Sequence, residues 1–151
     1  MHIFQSREQF NAELGTVRKW QRTEQALEMS LMFTEDEAHS IGDSLVYWWQ
    51  DASGLTAKDF VGHRRYLTVL SPQDAALTVQ VAHKSALEIS ESYSDLTDRE
   101  FLAGEADEVT IAKGCICAFD IDEAYRVVPS QSGAVVIVHV TVEGYSFPNK
   151  Q

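Results

Sequence analysis

No apolar run in the sequence approaches the ~20 residues that a bilayer-spanning helix needs. The first residues, Met1-His2-Ile3-Phe4-Gln5-Ser6-Arg7-Glu8, lack the basic flank and long apolar stretch of a secretory leader. Both absences lead to the expectation of a cytoplasmic protein. Cysteine is nearly missing, with Cys115 and Cys117 the only two. No further Cys or His cluster follows them at zinc-finger spacing, so a zinc site built on this pair is not expected. Their setting, Cys115-Ile116-Cys117-Ala118-Phe119, points to buried thiols with a structural role. Positive charge is also short: 12 Lys and Arg stand against 23 Asp and Glu, a net charge of −11. A chain this acidic is repelled by phosphate backbones and anionic lipid, which excludes nucleic acid and membrane surfaces as expected partners. There is no internal repeat and no Pro-rich linker. At 151 residues a single domain, 1–151, is expected.

The first third carries helix signals. Ser6 with Gln9 resembles a capping box, and Gly15 is placed to end the helix that follows. Thr23 is expected to cap a second helical segment beginning at Glu24. After Gly42 the pattern changes to short strands, at 45–50, 66–70, 76–82, 87–93, 108–112, 116–119, 124–128 and 134–142. Turn signals separate them, among them Ser71-Pro72-Gln73-Asp74 and Lys113-Gly114. About eight short strands predict a β-sandwich or jelly roll. Residues 134–138, Ala-Val-Val-Ile-Val, are apolar at every position. That suits a strand covered on one side by the opposite sheet and on the other by the N-terminal helices. Trp48 and Trp49 are adjacent, so on a strand they point to opposite faces. One belongs to the core, and the other lies either outward, as an interface anchor, or beneath the N-terminal segment.

Five polar stretches stand out. They are Lys19-Trp20-Gln21-Arg22, His39-Ser40-Ile41-Gly42-Asp43-Ser44-Leu45, Gly62-His63-Arg64-Arg65-Tyr66, Tyr93 with Thr97-Asp98-Arg99-Glu100, and Asp120-Ile121 with Glu123-Ala124-Tyr125-Arg126. The end adds Val140-Thr141-Val142-Glu143 with Tyr145, Phe147, Asn149 and Lys150. In this order and spacing the chain resembles the YhcH/YjgK/YiaL family over nearly its whole length, most closely the branch of small β-subunits of bacterial β-galactosidases. The resemblance implies a mainly β fold, a double-stranded β-helix (cupin-like jelly roll) with N-terminal helices. For function it implies an accessory subunit that binds a large glycosidase subunit and supports its activity. The alternative from the same family is a stand-alone sugar anomerase or isomerase. Association with itself is left open.

Many family members carry a metal site, and the resemblance places its ligands here at Val61, His63, Thr68, Leu70 and Tyr125. Only His63 is a good donor, and a divalent ion needs about three or four. No tightly held metal and no other cofactor is therefore expected. If the chain acts alone on a small sugar, His63, Glu123, Tyr125 and His139 are the candidate catalytic groups, since ring opening needs a general acid and a general base. Arg65, Tyr66, Asp98 and Arg126 are the candidate ligand-binding residues. Two readings of these last stand side by side. A guanidinium either locks an internal carboxylate such as Asp98 or Glu123, or contacts a sugar or anion. If 63–66 is a strand, His63 and Arg65 share a face. His39-Ser40-Ile41-Gly42-Asp43 is expected to be a loop entering the first strand, with Gly42 at positive φ and Asp43 or Ser44 binding backbone amides there.

Overall fold

Ser6 Oγ accepts a hydrogen bond from the Gln9 N–H at 3.1 Å, and helix α1 (Arg7–Leu14) follows. The reciprocal bond falls one residue early, on the Gln5 N–H, which donates to Gln9 Oε1 at 2.7 Å. Helix α2 (Arg18–Met29) starts earlier than expected. Thr23 is not its cap but lies inside it, with its hydroxyl donating to the Lys19 carbonyl at 2.8 Å. The computed structural model describes residues 1–15, 17–42 and 45–142. Asp43, Ser44 and the terminal residues Glu143, Tyr145, Phe147, Asn149 and Lys150, singled out in the sequence, lie outside the described residues. No helix among the described residues is long and apolar enough to cross a membrane.

Strand β1 (His2–Phe4) precedes the helices. After them come β2 (His39–Ile41), β3 (Leu45–Asp51), β4 (Phe60–Gly62), β5 (Tyr66–Pro72) and β6 (Leu77–His83). β7 (Glu88–Ser94) and β8 (Arg99–Ala103) pair as a hairpin. β9 (Glu108–Ile111), β10 (Ile116–Phe119), β11 (Glu123–Val127) and β12 (Ala134–Thr141) complete the chain. They form two six-stranded sheets, β1-β10-β5-β12-β3-β2 and β7-β8-β4-β11-β6-β9. Four strands of each, β10-β5-β12-β3 and β4-β11-β6-β9, have the order produced when an antiparallel ribbon coils upon itself. The fold is therefore the double-stranded β-helix, a jelly roll. β1 and β2 widen the first sheet at its two edges, and the β7–β8 hairpin widens the second beside β4.

The runs apolar on both faces explain the layering. On β12, Val136 and Val138 face the helices and pack in one cluster with Phe10, Leu14, Trp20 and Leu27. Val135 and Ile137 point the other way, into the space between the sheets, with Leu77, Val79 and Ile111. The same alternation on β3 sends Trp48 inward and Trp49 outward. Trp49 is not an exposed anchor, because its Nε1 donates to the Phe33 carbonyl at 2.8 Å beneath the N-terminal segment. Cys115 and Cys117 are buried free thiols in the inter-sheet cluster, and burial pushes the Cys117 thiol up to about 12.

Three expectations need correction. His39–Ile41, expected in a loop, is strand β2. Residues 63–65 are not strand but the turn between β4 and β5. Strand β7 is an edge with nothing packed on its outer part, so its alternation buries no face and Ile89 remains 62% exposed. Gly42 does adopt positive φ, +58°, and the Arg22 guanidinium lies where a Cβ would sit.

Candidate functional site

At the end of the jelly roll where β4 turns into β5, the inter-sheet space is not filled. A cavity of about 280 Å³ remains, at the small end of ligand pockets, which run roughly 300–1,000 Å³. Strand register builds its walls. Val61 pairs with Tyr125 on one side and Phe101 on the other, so the three stand in one row across the second sheet. Opposite them stand Trp48 and Gln50 of β3 and Ile137 and His139 of β12, two pairs at the strand period of two. Trp48 Nε1 donates to Gln50 Oε1 at 3.0 Å. His63 enters from the β4–β5 turn and Arg99 from β8.

The two imidazoles are neighbours, with ring centroids 4.8 Å apart. His139 also meets the edge of Trp48 at 5.0 Å and the Tyr66 ring at 6.0 Å. His63 is only 6% exposed, and its Nδ1 lies 2.7 Å from the Asp98 carbonyl. A carbonyl only accepts, so Nδ1 carries the proton and Nε2 the lone pair. Burial lowers the His63 pKa, against the pull of the Asp98 carbonyl and carboxylate. Burial, with the charges of His63 and Arg99, pushes His139 down to about 3. Burial pushes Tyr125 up to about 12. At neutral pH the cavity therefore presents two uncharged imidazoles and a protonated phenol.

Asp98 organises the wall behind His63. It is 3% exposed and holds a left-handed backbone, φ +53°, which Asp tolerates better than most residues. Its Oδ1 accepts from the Arg64 and Arg65 N–H groups at 3.0 Å each and from the Tyr93 hydroxyl at 2.5 Å. Its Oδ2 is buried, has no hydrogen-bond partner among the described residues, and stands 3.8 Å from His63 Nδ1. Burial alone would raise the Asp98 pKa, but these bonds together outweigh it and hold the carboxyl low. Glu100, also buried, takes Arg64 Nε at 3.2 Å and Lys84 Nζ at 3.0 Å. Lys84 donates in turn to the His63 carbonyl at 2.8 Å. This network clamps the β4–β5 turn onto β8 and fixes the His63 ring.

The cavity thus gathers His63, Tyr125 and His139, with Tyr66 at its edge through the His139 ring. Glu123 is not brought there. Its carboxylate meets the Met1 amino group at 2.5 Å and the Asp120 N–H at 2.9 Å. Arg126 follows Tyr125 and so points to the opposite face. It lies over the Phe60 ring at 4.3 Å and bonds Gln80 and the Lys58 carbonyl. Arg65 is exposed, 3.8 Å from Asp98, with its guanidinium donating to the Asp95 carbonyl. Arg65 and Asp98 thus pair with each other, whereas Arg126 locks neither Asp98 nor Glu123. The sequence reading gave no role to Gln50, Phe101 or Arg99. Period two from Trp48 and from Phe101 was the available signal, and in so short a strand as β8 it was hidden.

The donors around His63 do not fit the metal that the family resemblance implies. Val61 supplies none, Tyr125 keeps its proton, and Leu70 is core. The Thr68 hydroxyl, opposite His139 in register, is buried and neutral. Two imidazoles are fewer donors than a divalent ion needs. Among the described residues no three His, Cys, Asp or Glu side chains converge.

No family model matches the sequence. Several solved structures are similar in shape. Hydroquinone 1,2-dioxygenase from Sphingomonas sp. TTNP3, crystallised with 4-hydroxybenzoate, is 13% identical at a TM-score of 0.49, covering 76% of this chain and 71% of that one. Hydroquinone 1,2-dioxygenase PnpCD, in complex with Cd2+ and 4-hydroxybenzonitrile, is 15% identical at 0.45, covering 77% and 71%. Protein NMB1881 from Neisseria meningitidis is 9% identical at 0.40, covering 77% and 96%. Likeness at this level carries no functional argument, and the jelly roll rests on the strand order of this chain itself.

Proposed function

We propose that this chain is the accessory subunit of a cytoplasmic bacterial β-galactosidase, and that its cavity takes a carbohydrate of monosaccharide size. The supporting observation is convergence. Gly62-His63-Arg64-Arg65-Tyr66, and Tyr93 with Asp98-Arg99-Glu100, are two pieces of the resemblance to the YhcH/YjgK/YiaL family. They are hydrogen-bonded into one unit at the cavity mouth. Glycoside hydrolysis needs two carboxyl groups flanking the bond, and no Asp or Glu is among the described residues lining the cavity. Hydrolysis then belongs to the large subunit, and this chain acts by favouring that subunit's active state through binding. Co-expression with a large β-galactosidase subunit from the same source tests this. The two chains should elute together, and galactosidase activity should rise with this chain present. Separate elution with unchanged activity contradicts the proposal.

A second reading, a stand-alone anomerase, is favoured by the facing neutral imidazoles. His63 Nε2 is free to accept a proton, and the Tyr125 phenol retains one to give. NMR exchange between sugar anomers should then exceed the buffer rate and fall at least tenfold in His63→Ala. No acceleration over buffer ends this reading.

A further inference from the structure

We propose that a second cavity, outside the inter-sheet space, binds the phosphate group of a small phosphate monoester through Arg64, Arg65, Tyr66 and Thr141. The end of β12 lies beside the β4–β5 turn there. Thr141 stands opposite Tyr66 in register, and the Val142 N–H donates to the Arg65 carbonyl at 3.1 Å. The hollow at this junction has a volume of about 290 Å³ and is lined by Arg64, Arg65, Tyr66, Thr141 and Val142. It shares no lining residue with the cavity that holds His63 and His139. All its lining side chains except Val142 carry an N–H or O–H donor. None is a carboxylate, in a chain with 23 acidic residues.

Neighbouring exposed arginines are ordinarily solvated or spent on nearby acids, and these two do meet acids. Each is engaged on one side only. Arg64 gives Nε to Glu100 and lies over the Tyr93 ring at 4.3 Å. Its two terminal nitrogens have no hydrogen-bond partner among the described residues. Arg65 approaches Asp98 through Nε and gives Nη2 to the Asp95 carbonyl, which leaves Nη1. The Tyr66 and Thr141 hydroxyls also make no hydrogen bond among the described residues. The acids therefore serve as a scaffold. They hold the two long side chains before a ligand arrives, so binding spends less of their rotamer freedom. One guanidinium fork already satisfies a planar carboxylate. Two guanidinia with two hydroxyls suit an anion with more oxygens, and a phosphate monoester offers three, with close to two negative charges at neutral pH. The hollow is at the small end of ligand pockets, so the group that carries the phosphate is small. Asp98 and Glu100 offset part of the positive charge, which sets the expected Kd at about 0.1–1 mM.

Calorimetric titration of the full chain at about pH 7.5, where the monoester is a dianion, tests the inference at constant ionic strength. The probes are glycerol 3-phosphate and glycerate. Glycerol 3-phosphate is expected to bind at least roughly tenfold more tightly than glycerate. Arg64→Gln and Arg65→Gln should each weaken it by about fivefold or more. Thr141→Val removes one donor, leaves both ion pairs intact and should weaken it about threefold. Arg99→Gln alters the inter-sheet cavity alone and should leave the affinity unchanged. Glycerate matching glycerol 3-phosphate, or no binding at ~10 mM, overturns the inference. So does a loss of affinity in Arg99→Gln, which would put the anion between the sheets. Full affinity in Arg64→Gln and Arg65→Gln overturns it as well. If either arginine variant is unfolded, Thr141→Val decides, and full affinity there counts against the site.

Discussion

Asp98→Ala is expected to lower the unfolding free energy by about 3–5 kcal/mol, through loss of a buried network and strain at a special backbone position. The carboxylate satisfies two backbone N–H groups, of Arg64 and Arg65, within the network that clamps this turn onto β8. Leaving buried donors unpaired costs about 1–3 kcal/mol each. Alanine at φ +53° adds roughly 1 kcal/mol of strain that Asp and Asn largely escape. Asp98→Asn should therefore be much milder, because an amide oxygen still accepts from both N–H groups. Urea unfolding of the wild type and both variants measures the difference. A loss below about 1 kcal/mol in Asp98→Ala would mean that the turn is held without the carboxylate.

Acidification is expected to destabilise the protein from pH 6.5 downward, earlier than carboxylate titration explains. His139 is pushed down to about 3 by burial in the folded chain, against ~6.5 when unfolded. Above pH 6.5 the imidazole is neutral in both states and its contribution is fully present. As pH falls, the unfolded state takes up a proton that the folded state refuses, so stability declines, until the folded group also protonates near pH 3. Between pH 6.5 and 5 this amounts to about 1–1.5 kcal/mol, the lower figure if cavity water eases the burial of His139. His63, also lowered, adds in the same direction. Asp98 and Glu100 are held low, so their contributions are lost only at more acid pH. His139→Asn should flatten the pH 5–6.5 segment. An unchanged slope in that variant would place the titrating group elsewhere.

The jelly roll was legible because its long strands announce themselves. Residues 134–138, apolar throughout, needed two covering layers, and β12 has them in the inner cluster and the helices. Strands β1, β2 and β4, three residues each, are too short to show a period and were not anticipated. Thr23 shows a different limit: a good capping residue inside a helix looks the same in sequence as one at its start. For the site, the polar motif 62–66 was visible but its geometry was not. Read as a strand, it paired His63 with Arg65. As a turn, it buries His63 and leaves Arg64 and Arg65 outside, with their N–H groups on Asp98. That His63 and His139 meet depends on β12 lying beside β5 across a long chain separation, which no local pattern encodes. Glu123 and Arg126 looked chemical because of their types, but Glu123 is held by the Met1 amino group and the Asp120 N–H, and Arg126 by Phe60, Gln80 and the Lys58 carbonyl.

On the proposed function this chain supports a large β-galactosidase subunit, and its cavity matters to that role. Val61 stands in the middle of the cavity wall, between Tyr125 and Phe101. Galactosidase activity of the large subunit, reconstituted with wild-type chain or with Val61→Phe, tests both parts in one assay. The wild type should raise the activity, and Val61→Phe, still co-eluting with the large subunit, should give only a fraction of that rise. A full rise with the cavity filled, or no rise with either chain, would contradict the proposed function.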